Sequence, residues 1–528
     1  MKVSLVRLRD RRTSDVLDFP IVESLGLGYL GSYLRARGYN AEIIDEEVED
    51  VSRDDVLEKL SSSDLIGFTA TARPQIYSVI EVSNELRNRG YKRHITAGGH
   101  FPTFMFKELL ENSSLDSVVL YEGEETLAEL AKAICDGRNL EGVKGLAFKE
   151  SGSVRKNLLM PLIDNLDTLP FPARDLTGIV IEKGGLPVIS SSRGCYNRCS
   201  YCTISSFYGD PPGRQFRLRS AENVSEELRN LKARFPNLQD IWFVDDNFVQ
   251  KREQGYKRTR EICETLKQLG LKFDIYLRAD DVNERVLRLM KDAGLRSVFV
   301  GAEAGTDKTL EDIFKKRTSV EQTKRAIRLC REFGVNVDPG FIMFHPWSTM
   351  QEIGENIRFL EEVGEYTPYG IASFLTAYRF TPIGREMLSG ERPYKHPRFQ
   401  VRDPLQDDVP YEIQDFRAEA LLDLTLKAFQ GFKELPRTLR RLKSEARRRN
   451  DDILFKLHAS TVKYFSEVSM HYFKELYGFL SQENLQGIQQ HFEKISWQIE
   501  NSTSATAGLI NLVLESKNKK RKLLAFEF

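Results

Sequence analysis

The chain has 528 residues, of which 41% are hydrophobic and 29% charged, and its 77 basic residues balance its 77 acidic ones. This length predicts roughly three domains, and the composition excludes a disordered or low-complexity chain. The zero formal net charge excludes a global electrostatic attraction to nucleic acid or to an anionic membrane.

The cysteine count and the hydropathy pattern bear on location. Six cysteines are too few for a disulfide scaffold in a chain of this size. The amino terminus has no apolar core of secretory length, and no apolar run approaches the roughly 20 residues of a membrane span. We therefore expect a protein of the reducing cytoplasm without a membrane partner.

Residues 1–140 alternate short apolar runs with amphipathic segments, which is typical of an α/β domain. The predicted strands are Val3 to Arg7, Ala41 to Ile44, Leu65 to Thr69, His94 to Ala97 and Ser117 to Leu120. The predicted helices between them end at glycines, as Leu25 to Arg37 does at Gly38. We expect a Rossmann-like parallel sheet that binds its ligand at the carboxyl ends of the strands.

The rest of the chain divides into three parts. Residues 141–186 include the proline-rich LDTLPFPARDL and are interpreted as a connector. Residues 187–395 alternate strands and helices again, which predicts a partial (β/α)6 barrel of the TIM type with its site at the carboxyl ends of the strands. The predicted barrel strands are Pro187 to Ser191, Asp240 to Val244, Lys272 to Leu277, Ser297 to Val300, Asn336 to Met343 and Ile371 to Ala377. Residues 396–528 show only helical patterns, and we expect this α-helical domain to cover the barrel mouth.

Three cysteines crowd together after the first predicted barrel strand. In SSSRGCYNRCSYCTISSFYG, the residues Cys195, Cys199 and Cys202 form CxxxCxxC. An iron–sulfur cube normally takes four cysteine ligands, so three would leave one iron open to another ligand. The alternative is a structural zinc site completed by a distant histidine such as His345 or His396. The other cysteines are scattered and are interpreted as buried or surface thiols.

This motif in this position resembles the radical S-adenosylmethionine (AdoMet, SAM) superfamily. The resemblance implies that Cys195, Cys199 and Cys202 ligate a [4Fe-4S] cluster whose free iron AdoMet chelates. AdoMet is then split to methionine and a 5′-deoxyadenosyl radical. The residues that the resemblance places against AdoMet are Tyr201, Asp245, Asp246, Asn247, Arg278 and Glu303, with the segment Pro339 to Pro346 near the adenine. Taken singly, an acidic residue at a strand end could instead cap the next helix.

The amino-terminal domain admits two interpretations. GLGYLG, residues 26–31, satisfies the dinucleotide fingerprint GxGxxG, but that fingerprint should follow its strand directly, whereas here it lies inside a predicted helix. The domain more closely resembles the cobalamin-binding domain that often precedes radical AdoMet barrels, in LIGFTATA, ITAGGHFPT and YEGEET. The cobalamin contacts implied by this resemblance are Thr69, Thr71, Arg73, Gly98, Gly99, Glu122 and Gly123.

The cobalt ligand is a departure from the cobalamin pattern. No DxHxxG histidine is present, and several radical AdoMet relatives also lack it. Arg73 is the candidate to face cobalt, against the alternative of a surface-loop arginine, and His100 is interpreted as a structural loop residue.

Together the resemblances predict a cobalamin-dependent radical SAM enzyme that methylates an unactivated carbon of a small-molecule substrate. It would need an external electron donor of the flavodoxin or ferredoxin type. The alternative is a radical cyclase or rearrangement enzyme with no net methylation, since relatives with both domains also catalyse such reactions. A tRNA methylthiotransferase would carry further cysteines where residues 1–186 have only Cys135, and a cobalamin sensor would need no AdoMet contacts. The basic runs RTLRRLKSEARRR and SKNKKRK are interpreted as solvated helix faces or tails, so no nucleic-acid partner is expected.

Overall fold

The computed structural model describes residues 1–10, 20–249, 253–397, 403–482 and 488–525, with the side chains given as far as residue 515. No helix in these ranges is both long enough and apolar enough to cross a membrane. The basic run SKNKKRK begins at residue 516, so its side chains lie outside the described part.

The amino-terminal unit is a sheet flanked by helices. Its strands are β1 (Lys2–Arg7), β2 (Asn40–Asp45), β3 (Leu65–Thr69), β4 (His94–Gly98), β5 (Ser117–Val119), β6 (Leu146–Glu150) and β7 (Ser153–Lys156). Its helices are α1 (Leu25–Arg35), α2 (Arg53–Ser61), α3 (Arg73–Asn88), α4 (His100–Phe104), α5 (Phe106–Glu111) and α6 (Glu124–Cys135). The described strands have the order β2-β1-β3-β4-β5-β6-β7.

Strands β1 to β5 pair in parallel, as predicted, so their carboxyl ends share one edge. Strands β6 and β7 form an antiparallel hairpin that extends this sheet. The interpretation of residues 141–186 as a connector therefore missed a hairpin. Its outer strand, SVRK, is largely exposed and has no apolar alternation that would have marked it as a strand.

A second sheet begins after helix α7 (Thr177–Glu182). The remaining strands are β8 (Val188–Ile189), β9 (Ser192–Arg193), β10 (Arg217–Leu218), β11 (Asp240–Phe243), β12 (Lys272–Arg278), β13 (Leu295–Glu303) and β14 (Asn336–Phe341). The helices of this unit are α8 (Thr203–Phe207), α9 (Ala221–Arg234), α10 (Glu253–Leu269), α11 (Glu284–Asp292), α12 (Val320–Glu332), α13 (Met350–Val363), α14 (Pro368–Ile371) and α15 (Pro382–Ser389).

Strands β8, β11, β12, β13 and β14 follow one another in parallel across the partial barrel. At the sixth position the described chain forms a single parallel bridge, Phe344 to Phe374. The strand predicted over Ile371 to Ala377 is reduced to this bridge, and its first residue, Ile371, ends a short helix whose N-cap is Thr367. Thr367 accepts a hydrogen bond from the Gly370 backbone N–H at 3.0 Å.

The carboxyl-terminal region is helical, as predicted. It comprises α16 (Phe416–Phe429), α17 (Leu435–Arg449), α18 (Asp452–Ser481) and α19 (Ile488–Ala525). These helices share a hydrophobic core with β14 and α13, in which Phe344 meets Phe473 with ring centroids 6.0 Å apart. In the basic run of α17, Arg448 and Arg449 pair with Glu445 of the same helix.

One contact of this helical region lies away from the barrel mouth. Gly184 precedes β8, and a Cβ built on it would lie 2.1 Å from the carbonyl oxygen of Ser444 in α17. Helix α17 therefore packs at the amino end of a barrel strand, opposite the edge where parallel barrels carry their sites. The expectation that the carboxyl-terminal helices cover the barrel mouth is therefore wrong for α17, which packs at the opposite end of the strand.

Candidate functional site

The cysteine loop starts directly after β9 and runs into α8. Cys199 is buried, whereas Cys195 and Cys202 are partly buried. The loop is attached to the segment after β13, because the backbone N–H of Ser200 donates to the Phe314 carbonyl at 2.9 Å. Burial raises the pKa of the Cys195 thiol and raises that of Cys202 to about 12. A metal that binds these sulfurs must therefore displace their protons.

Three thiol donors on one loop are the donor set of an iron–sulfur cube with one open iron. Within the described ranges, no three His, Cys, Asp or Glu side chains form a group that could hold one metal ion. A zinc ion needs its sulfur ligands within about 2.3 Å of one point, whereas an iron–sulfur cube distributes three thiolates over three irons. His345, a candidate fourth zinc ligand, is buried and bonds Glu352 through Nε2 at 2.9 Å.

The acidic residues after β11 point in different directions. Asp245 is fully buried and accepts hydrogen bonds from the Ser191 backbone and from the Ser191 and Ser192 hydroxyls. Asp246 accepts one hydrogen bond, from the Gly194 N–H at 3.1 Å, and keeps access to solvent. Although Asp246 reaches solvent, the protein around its carboxyl reduces its hydration, and this desolvation, reinforced by the charge of Asp245, raises the pKa of the carboxyl to about 7. Of these two carboxylates, Asp246 is the one placed to receive a ligand.

Asn247 and Arg278 connect neighbouring strand ends. The Asn247 amide donates to Asp281 at 2.7 Å and accepts from the Arg278 backbone N–H at 3.3 Å. Arg278 Nη1 lies 4.0 Å from the sulfur of Cys199, and Nη2 donates to Thr318 at 3.0 Å. Arg278 therefore provides a positive charge beside the cysteine loop.

Glu303 ends β13 in a left-handed conformation, with φ at 67°. Few non-glycine residues adopt this region unless contacts hold them there. Lys316 is buried and donates to Glu303 at 2.7 Å. Burial and the nearby charge of Glu303 raise the pKa of the Tyr201 hydroxyl well above its ordinary value. The predicted adenine segment lies beside it, since the Ile342 N–H donates to the Glu303 carbonyl at 2.9 Å. Sequence patterns did not indicate Lys316.

The predicted cobalamin residues lie mostly at the carboxyl edge of the amino-terminal sheet. Thr69 and Gly98 end the adjacent strands β3 and β4. Thr71 donates from its hydroxyl to Gln75 at 3.0 Å at the start of α3. Gly99 has φ at 106°, and a Cβ there would lie 2.5 Å from the Ala70 carbonyl. Only a glycine therefore lets the backbones after β3 and β4 pack this closely at the edge.

Arg73 contacts a segment that returns from the barrel. Its Nη1 lies 3.2 Å from Asp408 and 3.7 Å from Asp407. Tyr77 bonds Asp403 of the same segment, and Leu405 is buried in the core of the amino-terminal sheet. Residues 403–409 therefore attach the barrel to α3. To face cobalt as predicted, Arg73 would have to break its ion pairs with Asp407 and Asp408.

Glu122 joins the two sheets. One carboxylate oxygen accepts from Arg193 at 3.0 Å, and the other accepts from Arg217 at 2.8 Å and from the Ile163 N–H at 2.9 Å. Burial opposes ionisation, but the two arginines outweigh it and hold the pKa of the Glu122 carboxyl below its ordinary value. Arg193 also donates to Glu124 at 2.6 Å. The side chain of Glu122 is thus engaged in an interdomain ion-pair cluster, which sequence analysis missed because its partners are separated by 69 to 95 residues.

An aromatic cluster closes the space between the same two units. The imidazole of His100, at the start of α4, stacks on Phe207 with ring centroids 4.1 Å apart. Phe104 of α4 stacks on Phe380 of the barrel at 3.7 Å, and Tyr121 lies 5.5 Å from Phe207. Gly123 packs beside this region, where a Cβ would lie 3.2 Å from the Leu30 side chain. The edge of the amino-terminal sheet therefore faces the helix that follows the cysteine loop.

Comparison with known families agrees with this geometry. The Radical SAM superfamily model matches residues 189–360, and the B12 binding domain model matches residues 20–131. The chain belongs to the cobalamin-dependent radical SAM enzymes. This family membership means that the enzyme uses a [4Fe-4S] cluster, AdoMet and cobalamin.

Several relatives of this cobalamin-dependent radical SAM enzyme have curated names. The "Uncharacterized methyltransferase PH0819" of Pyrococcus horikoshii is 31% identical over 426 residues, which cover 79% of this chain and 88% of the relative. The hopanoid C-3 methylase of Methylococcus capsulatus is 29% identical and is aligned over 62% of each chain. The 4′-phospho-dehydrooxetanocin synthase of Priestia megaterium is 28% identical, over 65% of this chain and 49% of its own length.

Solved structures show the same fold. The cobalamin-dependent radical enzyme OxsB with aqua-cobalamin bound superposes with a TM-score of 0.77 at 23% identity, covering 96% of this chain and 80% of OxsB. The methyltransferase TsrM from Kitasatospora setae superposes with a TM-score of 0.60 at 20% identity, covering 74% of this chain and 75% of TsrM. The likeness to OxsB includes the helical carboxyl-terminal region.

Proposed function

We propose that this radical SAM enzyme transfers a methyl group to an unactivated carbon of a small molecule. The observation that carries the proposal is the stacking of His100 on Phe207. Because this contact joins the predicted cobalamin edge of the first sheet to the helix after the cysteine loop, a substrate bound beside it would lie near both cofactors. The relatives named methyltransferase and methylase support the same reaction class.

When bound, AdoMet at the cluster would supply a 5′-deoxyadenosyl radical for hydrogen abstraction, and cobalamin would supply the methyl group. Within this chain, Cys195, Cys199 and Cys202 would hold the cluster. Asp246 would accept the AdoMet ammonium, because its carboxylate has one backbone partner and reaches solvent. Glu303, fixed by Lys316, would accept hydrogen bonds from the ribose hydroxyls.

A row of aromatic side chains offers a place for the substrate. Trp242, Tyr276 and Phe299 lie on adjacent strands, with ring centroids 5.6 and 5.3 Å apart. Trp242 precedes Asp246 by four residues, Tyr276 precedes Arg278 by two, and Phe299 precedes Glu303 by four. Because side chains alternate along a strand, these even separations place the aromatic residues and the predicted AdoMet contacts on one face of the sheet. Phe299 keeps 37% of its surface accessible although it lies in a central strand. We infer a chamber that suits a partly apolar substrate and limits water near reactive radicals.

The reaction is tested by product analysis under anaerobic conditions. Reconstituted enzyme is incubated with AdoMet deuterated in its methyl group, a reductant and a small-molecule extract of the source cells. Methyl transfer predicts both 5′-deoxyadenosine and S-adenosylhomocysteine, together with an extract compound that gains the labelled methyl group. Formation of 5′-deoxyadenosine with no labelled product would favour a cyclase or rearrangement enzyme, like the anaerobic magnesium-protoporphyrin IX monomethyl ester cyclases among its relatives.

The cellular location follows from the same chemistry. The described cysteines are all free thiols, and three of them are proposed cluster ligands. Free thiols persist in a reducing compartment, which makes the cytoplasm the location we propose.

A further inference from the structure

A cleft of about 1080 Å³ opens beside the cysteine loop. One wall is formed by the loop itself around Arg198, and the other by the segment after β13. The charged residues of its lining are Arg198, Lys315, Lys316, Arg317, Asp307 and Glu311. Four cations and two carboxylates thus line a single cleft in a chain whose net charge is zero.

The segment after β13 separates an inner from an outer face. Lys316 and Thr318 are buried and bond Glu303 and Arg278, which belong to the predicted cofactor site. Lys315 and Arg317, the residues next to Lys316, are exposed. The segment therefore directs Lys316 and Thr318 toward the predicted cofactor residues and leaves Lys315 and Arg317 exposed at the cleft.

Three of these cations, Arg198, Lys315 and Arg317, are exposed and form no ion pair among the described residues. Asp307 accepts from the Val320 N–H at 2.6 Å and so holds the start of α12. With Asp307 and Glu311 both charged, the exposed lining carries three cations against two carboxylates, a net positive charge. Exposed like charges at one place create a positive potential that attracts an oppositely charged partner.

We propose that this cleft is the docking surface for a small acidic protein that delivers single electrons to the cluster. The proposal rests on Cys195, Cys199 and Cys202 being the cluster ligands. Arg198 lies between two of these cysteines in sequence, so a partner held by its guanidinium is adjacent to the loop. Electron-transfer complexes are typically small and charge-guided, which suits a single cleft.

In the proposed step, a flavoprotein partner supplies one electron to the oxidised cluster. The anionic flavin hydroquinone loses one electron and becomes the neutral semiquinone, and the oxidised cluster gains that electron. No bond forms or breaks, and no proton is exchanged.

The test compares charge-reversal variants of the reconstituted holoenzyme with purified flavodoxin, reduced to the hydroquinone, as the probe. The test variant is R198E/K315E/R317E, and K315E/R317E serves as a second variant that leaves the residue beside Cys199 intact. The matched control is K59E/K92E/K107E, which changes the charge equally at exposed lysines of the amino-terminal unit. Stopped-flow absorbance follows cluster reduction at low and high salt, and a direct titration gives the Kd of the complex.

We expect both test variants to lower the second-order rate constant at low salt by at least about tenfold and to weaken the complex, with the difference shrinking at high salt. The control variant should react like the wild type. The viologen radical cation, a small reductant, should still reduce all variants, which shows that their clusters are intact.

Three results would overturn the proposal: unchanged rates in K315E/R317E, an equal loss in the control variant, or a wild type that viologen reduces and flavodoxin does not. Binding of inorganic phosphate that the test variants lose, with flavodoxin rates unchanged, would instead identify a small-anion site. Failure of the wild type to assemble a cluster would refute the cysteine assignment, a separate outcome.

Discussion

The imidazole of His100 lies on the ring of Phe207 with centroids 4.1 Å apart and an angle of 21° between their planes. His100 follows Gly98 and Gly99 at the edge of the amino-terminal sheet, and Phe207 ends the helix that follows Cys202. This one contact connects the regions matched by the B12 binding and radical SAM family models. The relative position of the two cofactor sites depends on such contacts.

The His100 contact makes folding sensitive to acid. Burial alone lowers the pKa of His100 from 6.5 to about 4. Between pH 6.5 and about 4 the unfolded chain therefore binds a proton on His100 that the folded chain does not. The contribution of neutral His100 to the free energy of unfolding is complete above about pH 6.5 and is lost as the pH falls toward 4. In urea unfolding, wild type should lose up to about 3 kcal/mol relative to His100→Phe between neutral pH and pH 4. Parallel pH profiles for the two proteins would contradict this.

The Glu122 ion pairs predict a large effect of a small substitution. Glu122→Gln removes the charge between Arg193 and Arg217 and leaves two arginines in a buried site. Breaking a buried pair in this way costs about 3–5 kcal/mol, measurable by thermal or urea unfolding. Glu129→Gln, at an exposed position of α6, should change stability by less than about 0.5 kcal/mol. If Glu122 mainly contacts cobalamin, the first variant will instead weaken corrinoid binding while unfolding stays unchanged.

The packing of α17 predicts a strong effect at Gly184. A Cβ there would lie 2.1 Å from the Ser444 carbonyl, in a backbone conformation with φ at 68°. Gly184→Ala should destabilise the protein by about 2 kcal/mol or more and expose the helical region to limited proteolysis. Gly38→Ala is the matched control, because Gly38 has φ at 83° but no atom within 4 Å of its Cβ position. Equal losses in the two variants would show that backbone strain, not the α17 contact, is responsible.

The cysteine loop gives a direct prediction for metal content. Reconstituted wild type should contain about four iron atoms per chain, and Cys199→Ala should lose most of this iron together with the visible absorption. Cys135→Ala, which changes an exposed thiol far from the loop in sequence, should retain both. Iron retained in Cys199→Ala would show that this residue is not a cluster ligand.

Local patterns predicted the fold better than the site. Strands such as Leu65–Thr69 were located correctly because a buried strand has an apolar run bounded by turn residues. The hairpin Leu146–Lys156 was missed because its outer strand is polar, and the strand over Ile371 to Ala377 was wrongly extended because its apolar run includes the end of a capped helix.

The site depended on contacts that no local pattern encodes. The cysteine spacing is local and was visible, whereas the pairing of Lys316 with Glu303 and of Arg193 with Glu122 requires the folded chain. The sequence likewise could not show that Asp245 is held by internal hydrogen bonds while Asp246 is open to a ligand, since the two carboxylates differ only in which neighbours they face.

We propose that the cluster and cobalamin face one chamber beside the His100 and Phe207 contact. Electron paramagnetic resonance tests this directly in a holoenzyme sample in which the cluster is reduced and the cobalamin is held as cob(II)alamin. We expect the two signals to broaden or split through spin–spin interaction, and we expect this coupling to weaken in Phe207→Ala. A spectrum equal to the sum of the two isolated signals would contradict the shared chamber.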